Sequence, residues 1–456
     1  MYILTVDFGS TFTKVTAVDG AAGKVLAGAR AFTTIDTDVR EGLAAASREL
    51  EKLCGKLEYS ERLACSSAGG GLKMAAVGLV PGLTAKAARL AAASAGAKVV
   101  KTYSYELTAR DREEIFGINP DIVLLSGGTD GGNQDVALFN AKALAEIDRP
   151  DLSVIVACNK SCAGGAAEII LRSGKTAIIC GNVMPEFNRL EIAPAKAAIR
   201  DLFIQKIVIA KGLALAQEMM TARIEPTPLA VLGACENLAE SGFGEFMAAD
   251  IGGATTDVYS MASGAPSMPN ILEKGLPEPF AKRSVEGDLG LRYGMASLVE
   301  AAGPERVAGE LGISAAELGV WMDSCRDDPG LIPGPGSMGK KIDDKLAALA
   351  VELAVERHCG TLESVYTPFG ESFIQTGKDL RGVNKLIGIG GPLINSESPE
   401  TVLRAGLWSA AAPMSLRPEK PRLYLDKSYI FASMGLIGRA RPELAARIME
   451  REIVEI

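Results

Sequence analysis

The chain is 456 residues long, too much for one compact core, so two or three domains are expected. Hydrophobic residues at 48% and charged residues at 23% describe a globular protein, not a disordered or fibrous one. A net charge of −8 argues against nucleic acid or an anionic membrane as the main partner, and no apolar run reaches the roughly 18 residues of a spanning helix. The first residues enter a strand pattern with no basic or apolar leader, so a cytoplasmic protein is expected.

Along the chain, residues 2–8, 13–18 and 23–30 predict three short strands, with DGAAGK (19–24) as a hairpin turn. Residues 38–57 have helical spacing, 62–67 return to strand, and the small apolar run 68–100 reads as a helix followed by a strand. Strands at 121–128, 153–159 and 176–182 alternate with helical stretches, which implies a parallel sheet. A long helix over 193–220, broken near Gly212, precedes another at 226–241. Strands 244–253 and 255–262 then form a second hairpin. Residues 275–345 are rich in glycine, proline and charge. A strong helix at 341–359, a buried strand with its turn at 384–393 and a helix starting within 428–438 complete the chain.

The eight cysteines lie mostly in apolar surroundings and read as buried free thiols. Cys158 and Cys162 are too few for a metal or iron–sulfur site unless a second chain completes it. The single histidine, His358, excludes a multi-histidine metal site, and its setting ERHCG offers no triad. It reads as the end of a helix. Chemistry falls to carboxylates, lysine, backbone amides and a hard cation. SGKT (173–176) is no phosphate loop, because Ile169 stands where that motif needs its first glycine.

Two stretches answer one another. LTVDFGSTFTKVTA (4–17) and AADIGGATTDVYSM (248–261) share an order: apolar strand, Asp, Gly, a small hydroxyl-bearing corner, second strand. Either alone is explained by a tight turn. Together, some 240 residues apart, they suggest two similar half-domains facing each other. Each corner offers backbone N–H groups and hydroxyls to phosphate oxygens, with glycine permitting close approach. Asp7 and Asp250, at strand ends, suit Mg²⁺ held through water. A nucleotide with Mg²⁺ is the ligand this chemistry fits.

Here the chain resembles the actin, sugar-kinase and heat-shock-chaperone ATPase superfamily, whose α/β actin-like fold places two RNase H-like domains around an ATP cleft. Residues 4–15 match its first phosphate motif through Asp7, Gly9, Ser10, Thr11, Thr13 and Lys14. Residues 248–258 match the second through Asp250, Gly252, Gly253, Thr255, Thr256 and Asp257. LIGIGGPL (386–393) is similar to the adenosine motif, with Gly388, Gly390 and Gly391 against the nucleoside. YIFASMGLIG (429–438) resembles the closing interdomain helix, its Ala432, Ser433 and Gly435 allowing close helix approach. EPTPLAVLGACENL (225–238) resembles the other interdomain helix, which places Glu225 where a carboxylate polarises the attacking water. A helix N-terminal acid favoured by the dipole is the plainer account of Glu225. The resemblance implies a first domain beginning in 1–120, an inserted α/β region with the remainder of that domain in 121–222, and a second domain over 223–456 carrying an insertion at about 275–345.

Four further stretches, 63–81, 120–144, 181–203 and 283–294, together with DIGGATTDV, resemble the glutamate mutase MutL family over nearly the whole length. That resemblance implies an ATP-using chaperone that protects or reactivates adenosylcobalamin-dependent mutases, with mutase subunits as partners and room for a homodimer. SGGTDGG (126–132) has the glycines and acid of a ligand-facing turn or of a plain strand-to-helix loop. Glu286 and Asp288 are placed to approach the nucleotide or to lie in a solvated loop, and Lys73 and Lys14 are candidates for phosphate contact. A histidine-based cobalamin site is not expected, since Glu356 and Thr361 stand where D-x-H-x-x-G needs Asp and Gly. Three rival readings stay open. They are a small-molecule kinase with Asp130 as base, an electron donor with a cluster on Cys158 and Cys162, and an ATP-dependent polymerising scaffold.

Overall fold

The computed structural model describes residues 1–34, 37–67, 73–95, 97–210, 213–268, 271–367 and 370–456. The chain divides into two units by compactness. The first comprises Met1–Gly70, Val208–Lys274 and Glu278–Ile456, and the second Gly71–Ile207 with Gly275–Pro277.

The first unit holds two sheets of one design. Tyr2–Phe8, Phe12–Asp19 and Lys24–Phe32 run antiparallel, and Tyr59–Ser66 joins Tyr2–Phe8 in parallel, followed by the short Glu225–Pro226. Numbered along the chain, the spatial order is 3-2-1-4-5. The second sheet repeats this order. Phe246–Ile251, Thr256–Met261 and Ala281–Glu286 are antiparallel, Lys385–Ile389 and Arg422–Asp426 add in parallel, and Ile453–Glu455 forms an extra edge. This is the RNase H-like order twice over, so the chain has the α/β actin-like ATPase fold expected from the resemblance.

Two helices tie these sheets together. Thr227–Leu238 and Phe431–Gly438 are apolar on every side and buried, as befits helices sandwiched within a core. Small residues let their backbones meet: a Cβ on Gly435 would stand 1.7 Å from the Ala230 carbonyl oxygen. Ser433 accepts the Thr5 hydroxyl at 2.7 Å, pinning the closing helix to the first strand. Asp426 fastens that helix's start by accepting the Ile430 N–H at 2.8 Å and the Phe431 N–H at 3.1 Å.

The second unit is a parallel sheet of Lys73–Gly78, Lys98–Ser104, Ile122–Leu125, Ser153–Val156 and Thr176–Ile179, in the spatial order 2-1-3-4-5. Helices Lys86–Ser94, Ala109–Ile118, Asp135–Ala145 and Lys160–Arg172 connect the strands.

The run 68–100 therefore differs from expectation. It contains strand Lys73–Gly78, then a helix, then a second strand. KMAAVG is alanine-rich, and alanine favours helix. Yet Met74–Val77 are fully buried in the centre of a parallel sheet, where covered faces and ladder hydrogen bonds override propensity. With this strand the compact unit begins at Gly71, whereas the resemblance implies an inserted region from 121. The long helix expected over 193–220 is described as Ala193–Ala210 and Ala214–Glu218, with Gly212 outside the described residues. Within 275–345 the chain forms helices Met295–Ala302, Pro304–Leu311 and Ala315–Asp327. His358 ends the helix Met338–His358, as its sequence suggested. The hairpin Thr361–Thr367 with Gly370–Thr376 and the helix Pro442–Glu452 carry no expectation from the sequence.

Candidate functional site

The two matched hairpins have the same register. Asp7 pairs across its hairpin with Lys14, and Asp250 across its own with Asp257. In the first corner the Gly9 N–H donates to Asp7 O at 3.0 Å and Phe12 O at 3.1 Å. A Cβ on Gly9 would stand 2.6 Å from the Phe12 oxygen, so the tight corner needs glycine. In the second, the Gly252 N–H donates to Thr255 O at 2.8 Å. The corners meet in one cleft lined by Gly9, Ser10, Thr11, Gly252, Gly253 and Thr255. Gly253 lies close enough to the Thr11 hydroxyl that a Cβ there would be 3.7 Å from it.

Asp7 and Asp250 both line this cleft but stand in different surroundings. Asp7 is held on several sides. The Lys14 ammonium lies 3.6 Å away, the Thr227 hydroxyl donates at 2.7 Å and the Cys65 thiol at 3.5 Å. Lys14 also sits over the Tyr429 ring at 3.5 Å, which fixes its direction into the cleft. The Asp250 carboxylate accepts a hydrogen bond from none of the described residues. Its acidity is pushed up to about 7, first by burial and then by the Asp257 carboxylate, with Lys14 opposing and Asp7 adding. Asp257 is neutralised by the buried Arg283, whose Nε donates at 2.8 Å, and it accepts the Thr255 hydroxyl at 3.1 Å. An unpartnered carboxylate beside a second acid is a donor set that suits a hydrated divalent cation, whose charge would restore the ionised form.

Other expected residues fall into place unevenly. Thr13 and Thr256 are buried and support the corners from behind, bonding Thr33 and the Leu289 carbonyl. Gly391 lines the cleft, whereas Gly388 faces the core, where a Cβ would press on Leu393 and Leu403. Gly390 has φ 106°, and a Cβ would stand 2.2 Å from the Ile251 oxygen, so its role is to bring that strand against the second hairpin. Glu225 is the clearest departure. Its carboxylate is taken by Arg439 at 3.0 Å and does not line the cleft, because the ion pair draws it away. Thr227, two residues on, reaches the cleft in its stead. Glu286 and Asp288 are likewise held by Arg357, at 2.8 and 3.0 Å. Lys73 lies exposed at the start of a strand of the second unit.

The sequence reading missed the wall of the cleft beyond the corners. Arg292 donates through its backbone N–H to Gly253 O at 2.8 Å, while its guanidinium holds Asp343 at 2.7 Å and Leu331 O at 2.8 Å. Lys340 donates to the Asn395 carbonyl, and Asn395 in turn donates to Gly391 O at 2.7 Å. Pro329–Pro333, Phe12 and Arg30 also line the cleft. The one sequence signal for this wall is that Arg292 lies within the stretch 283–294, RSVEGDLGLRYG.

In comparisons with known proteins, the family model described as MutL protein matches residues 3–453. A curated relative, Protein MutL of Clostridium tetanomorphum, is 44% identical over 460 aligned positions, which cover 99% of each chain. Among solved structures, a glycerol dehydratase reactivase aligns over 97% of this chain and all of its own, at 10% identity and a TM-score of 0.36. Component A of (R)-2-hydroxyglutaryl-CoA dehydratase from Acidaminococcus fermentans aligns over 98% of this chain and 99% of its own, at 9% identity and a TM-score of 0.31. With a family model matched from end to end and a full-length relative at this identity, the chain belongs to the MutL protein family.

Proposed function

We propose that this chain binds MgATP in the cleft of its first unit and couples hydrolysis to the reactivation or protection of an adenosylcobalamin-dependent mutase, glutamate mutase or a related aminomutase. The observation that carries the nucleotide reading is the matched pair of hairpins, which bring two glycine corners and two carboxylates to one cleft. The client follows from the family. Asp7 and Asp250 would hold hydrated Mg²⁺, which neutralises the phosphates, while Ser10, Thr11, Gly253 and Thr255 offer amides and hydroxyls to them. Lys14, aimed by Tyr429, adds a cation. Both halves of the cleft then share the terminal phosphate, so its loss weakens the contact between them and lets the cleft open. A client subunit that favours one of the two states is pulled or released accordingly, provided its affinity differs by a few kcal/mol between them.

The test is recovery of a cobalamin mutase inactivated by turnover, mixed with this protein, fresh adenosylcobalamin and MgATP. Recovery with the native protein and none with Asp250→Asn is the expected result. Measurable ATP binding with no recovery of several mutases would overturn the chaperone reading. In that event, ATP turnover stimulated by a small hydroxylated substrate would make the chain a kinase.

A further inference from the structure

The cleft of the first unit is lined by the carboxylates of Asp7, Asp250, Asp257 and Asp343 and by the basic side chains of Lys14, Arg30, Arg292 and Lys340. Most of these charges are already matched. The Lys14 ammonium lies 3.6 Å from Asp7, and Arg292 holds Asp343 at 2.7 Å. Asp257 accepts from the buried Arg283 at 2.8 Å, and Lys340 lies 3.6 Å from the Asp344 carboxylate. Two side chains of the lining, Asp250 and Arg30, have neither a hydrogen bond nor an ion pair with any of the described residues. The cleft thus keeps one acid and one base open.

Arg30 is placed by the first sheet. It pairs across the strands with Lys14, and Lys14 pairs with Asp7. Side chains directly opposite one another in antiparallel strands share a face, about 5 Å apart. Asp7, Lys14 and Arg30 therefore form one row, and all three line the cleft. The Arg30 guanidinium carbon lies 5.0 Å from the centre of the Phe12 ring, which in turn packs on Phe32. Phe12 belongs to the first glycine corner, where its carbonyl accepts the Gly9 N–H at 3.1 Å. The ring ties the direction of the guanidinium to that corner. A charge on an edge strand commonly serves only to keep other strands away. Arg30 is on an edge strand and exposed, yet its head lies over a ring and lines a cavity.

We infer that Arg30 binds the third phosphate of the nucleotide and so sets a preference for a nucleoside triphosphate over a diphosphate. This rests on the MgATP reading of the cleft and adds to it the residue that distinguishes the two nucleotides. Asp250 is the open acid for the hydrated cation, and Arg30 is the open base for the anion that the cation accompanies. Lys14 cannot meet that charge alone, because Asp7 already draws on it. The third phosphate adds charge and three unesterified oxygens, and a guanidinium presents a fork of N–H donors that fits two of them. Phe12 is a positioning residue that acts through Arg30.

Calorimetric titration of the full chain tests this, with MgADP and with the magnesium complex of the non-hydrolysable β,γ-imido analogue of ATP. Native protein should bind the triphosphate more tightly. Arg30→Met should weaken the triphosphate about tenfold, the loss of one charge-assisted contact, and change MgADP less than about twofold. Its melting temperature should stay native, since the side chain is exposed and bonds no described residue. Arg30→Lys, which keeps the charge without the fork, should recover part of the loss. Phe12→Leu should reduce the preference by less, and should reduce it no further in Arg30→Met protein. Equal affinity of the native protein for the two nucleotides would overturn the inference and leave the cleft reading standing. So would equal weakening of both, or an unchanged triphosphate affinity, in Arg30→Met protein with a native melting transition. Native protein that binds neither nucleotide would overturn both.

Discussion

Asp7 and Asp250 occupy equivalent places in two hairpins, yet their surroundings differ. Lys14 and Thr227 partner Asp7, while Asp250 has none of the described residues as a partner and faces Asp257 across its own hairpin. Because its pKa is raised from 3.8 to about 7, the folded protein holds a proton there that the unfolded chain has lost. Stability without ligand should therefore fall as pH rises through the window from about 4 to 7, and be lowest above it. Asp250→Asn removes this penalty. Denaturant unfolding at pH 7.5 without nucleotide should show the variant more stable, by roughly 2–4 kcal/mol at most. Under the ATP reading, the same substitution should abolish the stabilisation that MgATP would give the native protein. A variant no more stable than native at pH 7.5 would mean that Asp250 is ionised without cost. Glu225 gives the opposite expectation. With its carboxylate held by Arg439, Glu225→Gln should change ATP turnover less than about threefold, against the 10²-fold or greater loss typical of removing a transition-state charge contact. Steady-state ATPase assays of both variants distinguish the two roles.

At the scale of elements, the pair of buried helices is the most constrained feature. Gly435 meets the Ala230 carbonyl with no room for a methyl group, so Gly435→Ala must push the two helices apart. Overpacking of this kind should cost about 3 kcal/mol in unfolding free energy, measured by denaturant titration. A second constraint lies at the far end of the second sheet. Lys378 is buried, donates to Ala262 O and Phe280 O at 2.7 Å each, and has its pKa lowered to about 7 by burial, with Lys282 adding. Lys378→Met would leave the Ala262 carbonyl unsatisfied, at a cost of roughly 1–3 kcal/mol, while Phe280 O keeps the Ala262 N–H as a donor. His358 is buried beside this group, its ring nitrogens each 2.8 Å from a serine hydroxyl, and burial lowers its pKa well below 6.5. It holds the end of a helix as a neutral group.

Under the proposed function, the first unit would have to close over a nucleotide as well as hold one. Across the mouth of its cleft the Phe32 ring, stacked on Phe12 at 4.8 Å, lies against Gly330, where a Cβ would be 2.5 Å from it. Arg292 couples that loop to the second glycine corner through Gly253 O and Leu331 O. Under the ATP reading, Phe32→Ala removes the contact at the mouth and should raise the nucleotide dissociation rate about tenfold with little change in association. Stopped-flow release of a fluorescent nucleotide measures this, and an unchanged rate would show that the mouth does not limit release.

The glycine corners, the closing helix and the repeated half-domain could be read along the chain because each is a run of consecutive residues. Strand, acid, glycine and hydroxyl lie within a dozen positions, so local chemistry alone specifies them. Other features depended on burial and on partners distant in sequence. The alanine-rich Lys73–Gly78 has helical propensity and becomes a strand only because neighbouring strands cover and pair it. Glu225 leaves the cleft because Arg439, 214 residues later, holds its carboxylate. Arg292, the helix pair Lys340 and Asp343, and Asn395 line one cleft although they come from three stretches with no shared pattern. Likewise, the glycine-rich turn at 126–132 is held by Asn159 and Asn182, on later loops, which donate to its carbonyls. Propensity and motif act over a few residues, whereas burial and charge pairing act between residues that only the folded chain brings together.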